Sequence, residues 1–236
     1  MGCFIPWMKH PSLLADMTGV KIRMTSGHFA EPETSRIPYS NSVRWRQKGE
    51  RKNRVAPAVD VFFSQKAFLT ANSSAQSDLD NEVGGWLIGK RRRDKLAGRE
   101  FVVIEIVLPA VDTRFGSAYL TFTADSMVAL NQTLEKDHPD KILVGWYHAH
   151  PGMGVFFSEW DRWLHTYFFP EPWHVALVME PHSGTGGFFI LREDGKLDQR
   201  LCYGFYELTN HSNRTVVNWK NLIPETDLLY AQGESL

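Results

Sequence analysis

Apolar residues along this chain follow two rhythms, and the places where one gives way to the other predict a mixed α and β fold. Lys141-Ile142-Leu143-Val144-Gly145-Trp146-Tyr147 is a continuous apolar, β-prone run, the pattern of a strand buried on both faces. Phe101 to Leu108 and Asn81 to Gly89 read as further strands. His174 to Met179 and Phe188 to Leu191 form another pair, joined through the flexible turn His182-Ser183-Gly184-Thr185-Gly186-Gly187, and Cys202 to Leu208 is placed to close the sheet. Helical spacing predicts helices over Phe62 to Ala75 and over Ala124 to Lys136, the latter with Met127, Leu130 and Leu134 on one face. A third helix is expected to open at Ser158. The charged stretch Arg91 to Gly98 reads as a solvated hairpin turn.

Candidate chemistry gathers where the apolar run ends, at His148-Ala149-His150-Pro151 followed by Ser158-Glu159-Trp160-Asp161. Side chains two apart on a strand share a face, so His148 and His150 point the same way. Pro151 stops the strand, and Gly152 and Gly154 let the backbone turn back toward the histidines. Ser158 and Asp161, three apart, both sit at the start of the next helix. Alone, that pair would be a capping box, and a lone His-x-His pair would be a polar strand edge. Together they supply two imidazoles and one carboxylate, which leaves a fourth position for water, the catalytic pattern for zinc.

Such a site also needs a carboxylate to carry protons. Glu82 and Glu105 are the candidates by type and placement. Glu105 alternates with Phe101, Val103 and Val107 and reads as a residue near a sheet edge or in a salt bridge. Glu82 precedes a strand whose glycines keep the neighbouring surface low, and this favours Glu82. His165, four residues after Asp161, is either an outer partner of the site or a half-buried histidine, while His174 beside Trp173 is expected to be packed.

At these residues the chain resembles the JAMM family, the zinc metalloenzymes of the JAB/MPN type. The family signature is an upstream Glu, then His-x-His, seven residues that begin with Pro, and Ser-x-x-Asp. Glu82-Val83-Gly84-Gly85-Trp86-Leu87-Ile88-Gly89 matches the first part, and Pro151 to Phe157 supply the seven residues before Ser158. Ala149 stands where many members carry Ser or Thr. The resemblance implies an α/β (α+β) fold, an MPN/JAB-like mixed central sheet flanked by helices with cytidine-deaminase-like architecture. It implies His148, His150 and Asp161 as ligands of one zinc per chain, Glu82 as general acid and base, and Ser158 as a donor to the tetrahedral intermediate. Isopeptidase or peptidase action on a ubiquitin-like protein or its conjugates follows, with modifier-activating or modifier-conjugating enzymes as further partners. Gly84 and Gly85 are candidate substrate contacts, since glycines in a strand admit a second backbone. Two alternatives stay open: an amide hydrolase acting on a small-molecule or carrier-protein substrate, and a non-catalytic MPN scaffold, against which the full ligand set argues.

The resemblance covers about residues 58 to 208, leaving 1–57 and 209–236 as extension and tail. Residues 1 to 57 hold ten Lys and Arg against four Asp and Glu, a charge of +6, and the net charge of −1 therefore leaves −7 on the remainder. Ser35 to Pro57 reads as a basic linker with weak drive to fold, so the domain is expected to stand without 1–57. The apolar stretch Cys3 to Met8 with Leu13 and Leu14 is open to docking on the domain or on a partner. With no aromatic-interleaved basic platform or zinc knuckle, nucleic acid is not an expected partner. Cys3 and Cys202 form no CxxC pair, which points to reduced thiols and a cytoplasmic setting. Neither a membrane span nor a secretory leader is expected.

Overall fold

The protein is described here by a computed structural model, which covers residues 31–50, 54–110, 114–116, 119–209 and 214–225. The apolar stretch from Cys3, with all of the arm before residue 31, lies outside the described residues. In chain order the elements are β1 (Glu33–Ser35), β2 (Ser42–Gln47), β3 (Asp60–Ser64), α1 (Gln65–Ala75), β4 (Gly84–Asp94), β5 (Glu100–Pro109), β6 (Arg114–Gly116), β7 (Tyr119–Thr121), α2 (Ala124–Asp137), β8 (Ile142–Ala149), α3 (Glu159–Phe168), β9 (Val175–Glu180), β10 (Thr185–Ile190), β11 (Phe205–Leu208) and β12 (Leu222–Pro224). The fold is therefore α+β, with one mixed sheet in the order β10-β9-β8-β4-β5-β3-β11-β2-β12, β1 beside the end of β4, and β6-β7 as a separate hairpin.

β8 is an interior strand of the sheet, antiparallel to β4 and parallel to β9. Its last six residues are all buried, as the continuous apolar run requires. Gly145 is needed there because a Cβ would come within 1.9 Å of the Val175 carbonyl oxygen. Alternation along β8 then sorts its side chains. Tyr147 turns toward α1, where its hydroxyl donates to Ser74 Oγ at 2.8 Å, while Trp146 and His148 take the opposite face. That face is aromatic, with Phe122, Phe157 and Phe169 packed around Trp146 and Trp86 against Phe122.

The sheet also curls back on itself. Phe188 on β10 bridges to Tyr203, and the Gly186 carbonyl accepts from Asn221 Nδ2 at 2.8 Å and from Gln47 Nε2 at 3.3 Å. Inside the curl, Phe63, Phe68, Phe188, Phe205 and Trp219 make edge and tilted contacts under α1.

Three expectations change. The first helix starts at Gln65, not Phe62, because the Ser64 hydroxyl caps it by accepting from Ala67 N at 3.2 Å, and Phe62 and Phe63 belong to β3. Of the charged run Arg91 to Gly98, Arg91 to Asp94 extend β4, with Arg91 and Arg93 paired to Glu100 at 2.7 and 2.8 Å, and only Lys95 to Gly98 make the hairpin turn into β5. Most consequentially, the sheet extends past residues 58–208 on both sides. β2, inside the supposed linker, pairs with β11 and β12, and β12 belongs to the supposed tail. Its residues alternate: Trp45 is buried, while Arg44 and Arg46 point outward to Glu225 at 3.0 and 3.6 Å.

Glu207 ties these pieces together. Fully buried on β11, its carboxylate accepts from Trp45 Nε1 at 2.9 Å, Gln65 Nε2 at 2.8 Å, Val216 N at 2.8 Å and the Thr215 hydroxyl. Replacing it with Ala strands several buried donors at once, so Glu207→Ala is expected to cost about 3 kcal/mol or more in chemical denaturation. A loss below about 1 kcal/mol would show that the network is dispensable. Deleting 1–57 removes β2 with Trp45, and the expected product is a domain that melts far lower or does not fold, read by circular dichroism. A truncation that melts like the full chain would return the arm to the status of a tether.

Candidate metal centre

His148 sits one residue before the end of β8, and Ala149 N and His150 N are tied to Val83 O at 2.8 Å and Met179 O at 2.7 Å. These bonds suspend the two histidines between the start of β4 and the end of β9. Gly152 and Gly154, at φ 70° and 86°, then make the left-handed turns that bring the chain back. Both imidazoles are buried, and their Nε2 atoms lie 2.8 Å apart.

α3 brings in the carboxylate. Ser158 caps the helix by accepting from Asp161 N at 3.1 Å, and Asp161 Oδ2 accepts from Ser158 N at 2.7 Å, a complete capping box. The same carboxylate faces the histidines, with Oδ1 3.2 Å from His148 Nε2 and Oδ2 3.6 Å from His150 Nε2. Capping and facing the histidines are thus done by one side chain. One candidate ligand atom from each of His148, His150 and Asp161 can be chosen so that all lie within 4.8 Å of one another.

Glu82, just ahead of β4, completes the cluster. It is buried, with Oε1 3.7 Å from His150 Nε2. Glu105 is elsewhere, half-buried and paired with Lys141. Geometry therefore separates the two glutamates.

Electrostatics follow from this crowding. Burial pushes the Glu82 carboxyl up to about 7, against the pull of His148 and with a smaller push from Asp161. Burial would raise Asp161, yet His148, His150 and the Ser158 amide outweigh it and hold the carboxyl down at about 2. His148 is disfavoured as a cation by burial but raised on balance by Asp161 and Glu82. His150 falls to about 4 through burial and the charge on His148. Two imidazole nitrogens at such a separation, facing an ionised carboxylate, either share a proton or share a cation. Two buried nitrogen donors and one oxygen donor suit Zn2+ in a three-ligand site that keeps a position for water.

Glu180 and Phe156, which the sequence pattern does not single out, contribute as well. Glu180, at the end of β9, accepts from Gly152 N at 3.1 Å, His182 N at 2.8 Å and Ser183 N at 2.8 Å, pinning the loop after His150 to the β9–β10 turn. Phe156 packs on the His150 ring with centroids 4.8 Å apart. His165 is buried and accepts from Trp146 Nε1 at 3.1 Å, and His174 is packed against Phe169. The expected role of Gly84 and Gly85 changes. Gly84 pairs with His148 and its carbonyl accepts from Ala110 N, and a Cβ on Gly85 would meet the Leu108 carbonyl oxygen at 2.2 Å. The close approach that Gly85 permits is to the protein's own β5. Among the described residues no helix is long and apolar enough to cross a membrane.

Residues 64–185 match the family of prokaryotic homologs of the JAB domain, and the chain belongs to that family. It is 30% identical over 102 residues to an NAD(+) hydrolase named TcpA of Theionarchaea archaeon (strain DG-70-1), covering 43% of this chain and 28% of that protein. It is also 27% identical over 124 residues to COP9 signalosome complex subunit 5 of Caenorhabditis elegans, covering 51% of this chain and 32% of that one. The chain thus spans about a third or less of these curated relatives. Among solved structures, protein DSY2949 of Desulfitobacterium hafniense aligns with a TM-score of 0.47 at 19% identity, covering 66% of this chain and 99% of that one.

Proposed function

We propose that this protein is a zinc-dependent isopeptidase or peptidase that hydrolyses the amide bond following the C-terminal tail of a ubiquitin-like modifier. The observation that carries the hydrolytic part is the buried set of His148, His150 and Asp161 with a buried carboxylate, Glu82, 3.7 Å from one of the imidazoles. Family membership and the JAMM signature support the choice of substrate class.

His148, His150 and Asp161 would hold the metal. Zinc bound there supplies Lewis acidity, which acidifies water and polarises the scissile carbonyl. Glu82 takes the proton from the attacking water and delivers it to the leaving amine. Its raised affinity for a proton suits both halves of that exchange, since a carboxylate near the working pH accepts and returns a proton at small cost. The Ser158 oxygen already accepts from Asp161 N, so its own proton remains to be donated to the developing oxyanion.

Ser158→Ala is therefore expected to lower turnover on the order of 10²-fold while leaving zinc content unchanged. Wild-type turnover in that variant would reduce Ser158 to a helix cap. The proposal as a whole is tested by assaying the zinc-loaded chain on a panel of modifier fusions and isopeptide conjugates, with and without chelator. NAD+ belongs in the panel because one relative is named for its hydrolysis. Chelator-sensitive cleavage after a modifier tail is the expected result. Cleavage of NAD+ alone would replace the proposal, and no cleavage by zinc-loaded protein would favour a scaffold.

A further inference from the structure

His148 is fully buried, yet its Nδ1 meets no hydrogen-bond partner among the described residues. A ligating histidine ordinarily gives its second ring N–H to a carboxylate or carbonyl, which fixes the rotation of the ring. His150 follows that pattern, its Nδ1 lying 3.3 Å from the Gly154 carbonyl oxygen. The ring of His148 is held in another way. Trp146, two residues earlier on the same face of β8, lies flat against it, with ring centroids 4.6 Å apart and planes 10° from parallel.

The indole is itself fixed. Trp146 Nε1 donates to Nδ1 of His165 on α3 at 3.1 Å, a bond buried at both ends. Burial, and then the neighbouring His174, push the pKa of His165 down to about 3, so its imidazole stays neutral and Nδ1 keeps the lone pair that accepts. Phe169 stacks against both partners, with planes 17° from His165 and 20° from Trp146, and Phe157 closes the edge of His165 at 5.8 Å. α3 also carries Asp161, so one helix supplies a carboxylate directly and steadies an imidazole through His165 and Trp146.

We propose that Trp146 and His165 are positioning residues for the metal centre: Trp146 sets the plane of the His148 ring by stacking, and His165 sets the plane of Trp146 by accepting its indole N–H. The inference rests on the reading of His148 as a metal ligand. It adds the way the ring is aimed.

Co2+ serves as the probe, because its visible absorption bands report ligand geometry as well as occupancy. Trp146→Phe and His165→Phe are each expected to weaken Co2+ binding about 10- to 100-fold, the range for loss of an outer partner, and to shift those bands. His165→Gln retains an acceptor within reach of the indole and is expected to restore both affinity and spectrum toward wild type. Should the single variants fold poorly because one buried polar atom is left alone, the double variant Trp146→Phe with His165→Phe removes both atoms and keeps aromatic rings at both positions. Thermal melts without metal accompany each titration, so that a change in packing is seen apart from a change at the metal. Wild-type Co2+ affinity and spectrum in the double variant would overturn the proposal, as would His165→Gln behaving like His165→Phe. A wild-type chain that binds no Co2+ would overturn the metal reading, and the positioning role with it.

Discussion

Glu82→Gln is expected to abolish most hydrolysis, by roughly 10²- to 10⁴-fold, with zinc content unchanged. Gln keeps the size and the hydrogen-bonding oxygen but cannot exchange a proton near neutral pH. Glu82 lies 3.7 Å from His150 Nε2 and is buried, so the substitution reaches the step in which a proton moves. Replacing an ionisable carboxyl by an amide in a buried site also removes a desolvation cost, so stability should hold or rise slightly. The variant should still bind substrate, which makes it a trap for the modifier. Glu105→Gln is the comparison. Its carboxylate is half-buried and paired with Lys141, so the expected change is a small loss of stability and none in turnover. Retained cleavage in Glu82→Gln, with loss in Glu105→Gln, would reverse the assignment.

The second large effect belongs to Asp161, which does two jobs that substitution can separate. Asp161→Asn leaves an amide oxygen to accept from Ser158 N, so the capping box survives and α3 should keep its start. It removes the negative charge that faces His148 at 3.2 Å and His150 at 3.6 Å. Zinc affinity is expected to fall by more than the roughly 100-fold that marks loss of an outer partner, and hydrolysis with it. Asp161→Ala should lose the metal equally and, in addition, about 0.5–1.5 kcal/mol of stability, because Ser158 N loses its acceptor while the backbone N–H of residue 161 still reaches the Ser158 hydroxyl. Equal zinc binding in Asp161→Asn and wild type would leave Asp161 as a cap alone.

Much of the site was legible because its determinants are local. The apolar run before His148, the proline after His150 and the two turn glycines constrain a few consecutive residues, and their geometry follows from the backbone. In the arm, basic composition masks an alternation. Ser42-Val43-Arg44-Trp45-Arg46-Gln47 is basic, but its period of two puts Trp45 inward and the arginines on the solvent face, and only pairing with β11 and β12 makes that burial worthwhile. Phe62-Phe63 satisfied helix and strand patterns alike, and the cap at Ser64 decided between them. Gly85 suggested room for a substrate, whereas β5 occupies that space. Glu180 and Trp146 bond to partners distant in sequence, Gly152 lying 28 positions from Glu180 and His165 lying 19 from Trp146; the spacing from Asp161 marks His165 as a candidate outer partner, but no short pattern announces its bond to Trp146.

The central claim is that His148, His150 and Asp161 form one metal site, and elemental analysis of the purified full-length chain beside His148→Ala tests it most directly. One zinc per wild-type chain is expected, with the metal lost from a His148→Ala variant that keeps its circular dichroism spectrum. Wild-type protein without zinc after exposure to it, or His148→Ala protein with the wild-type amount, would contradict the account.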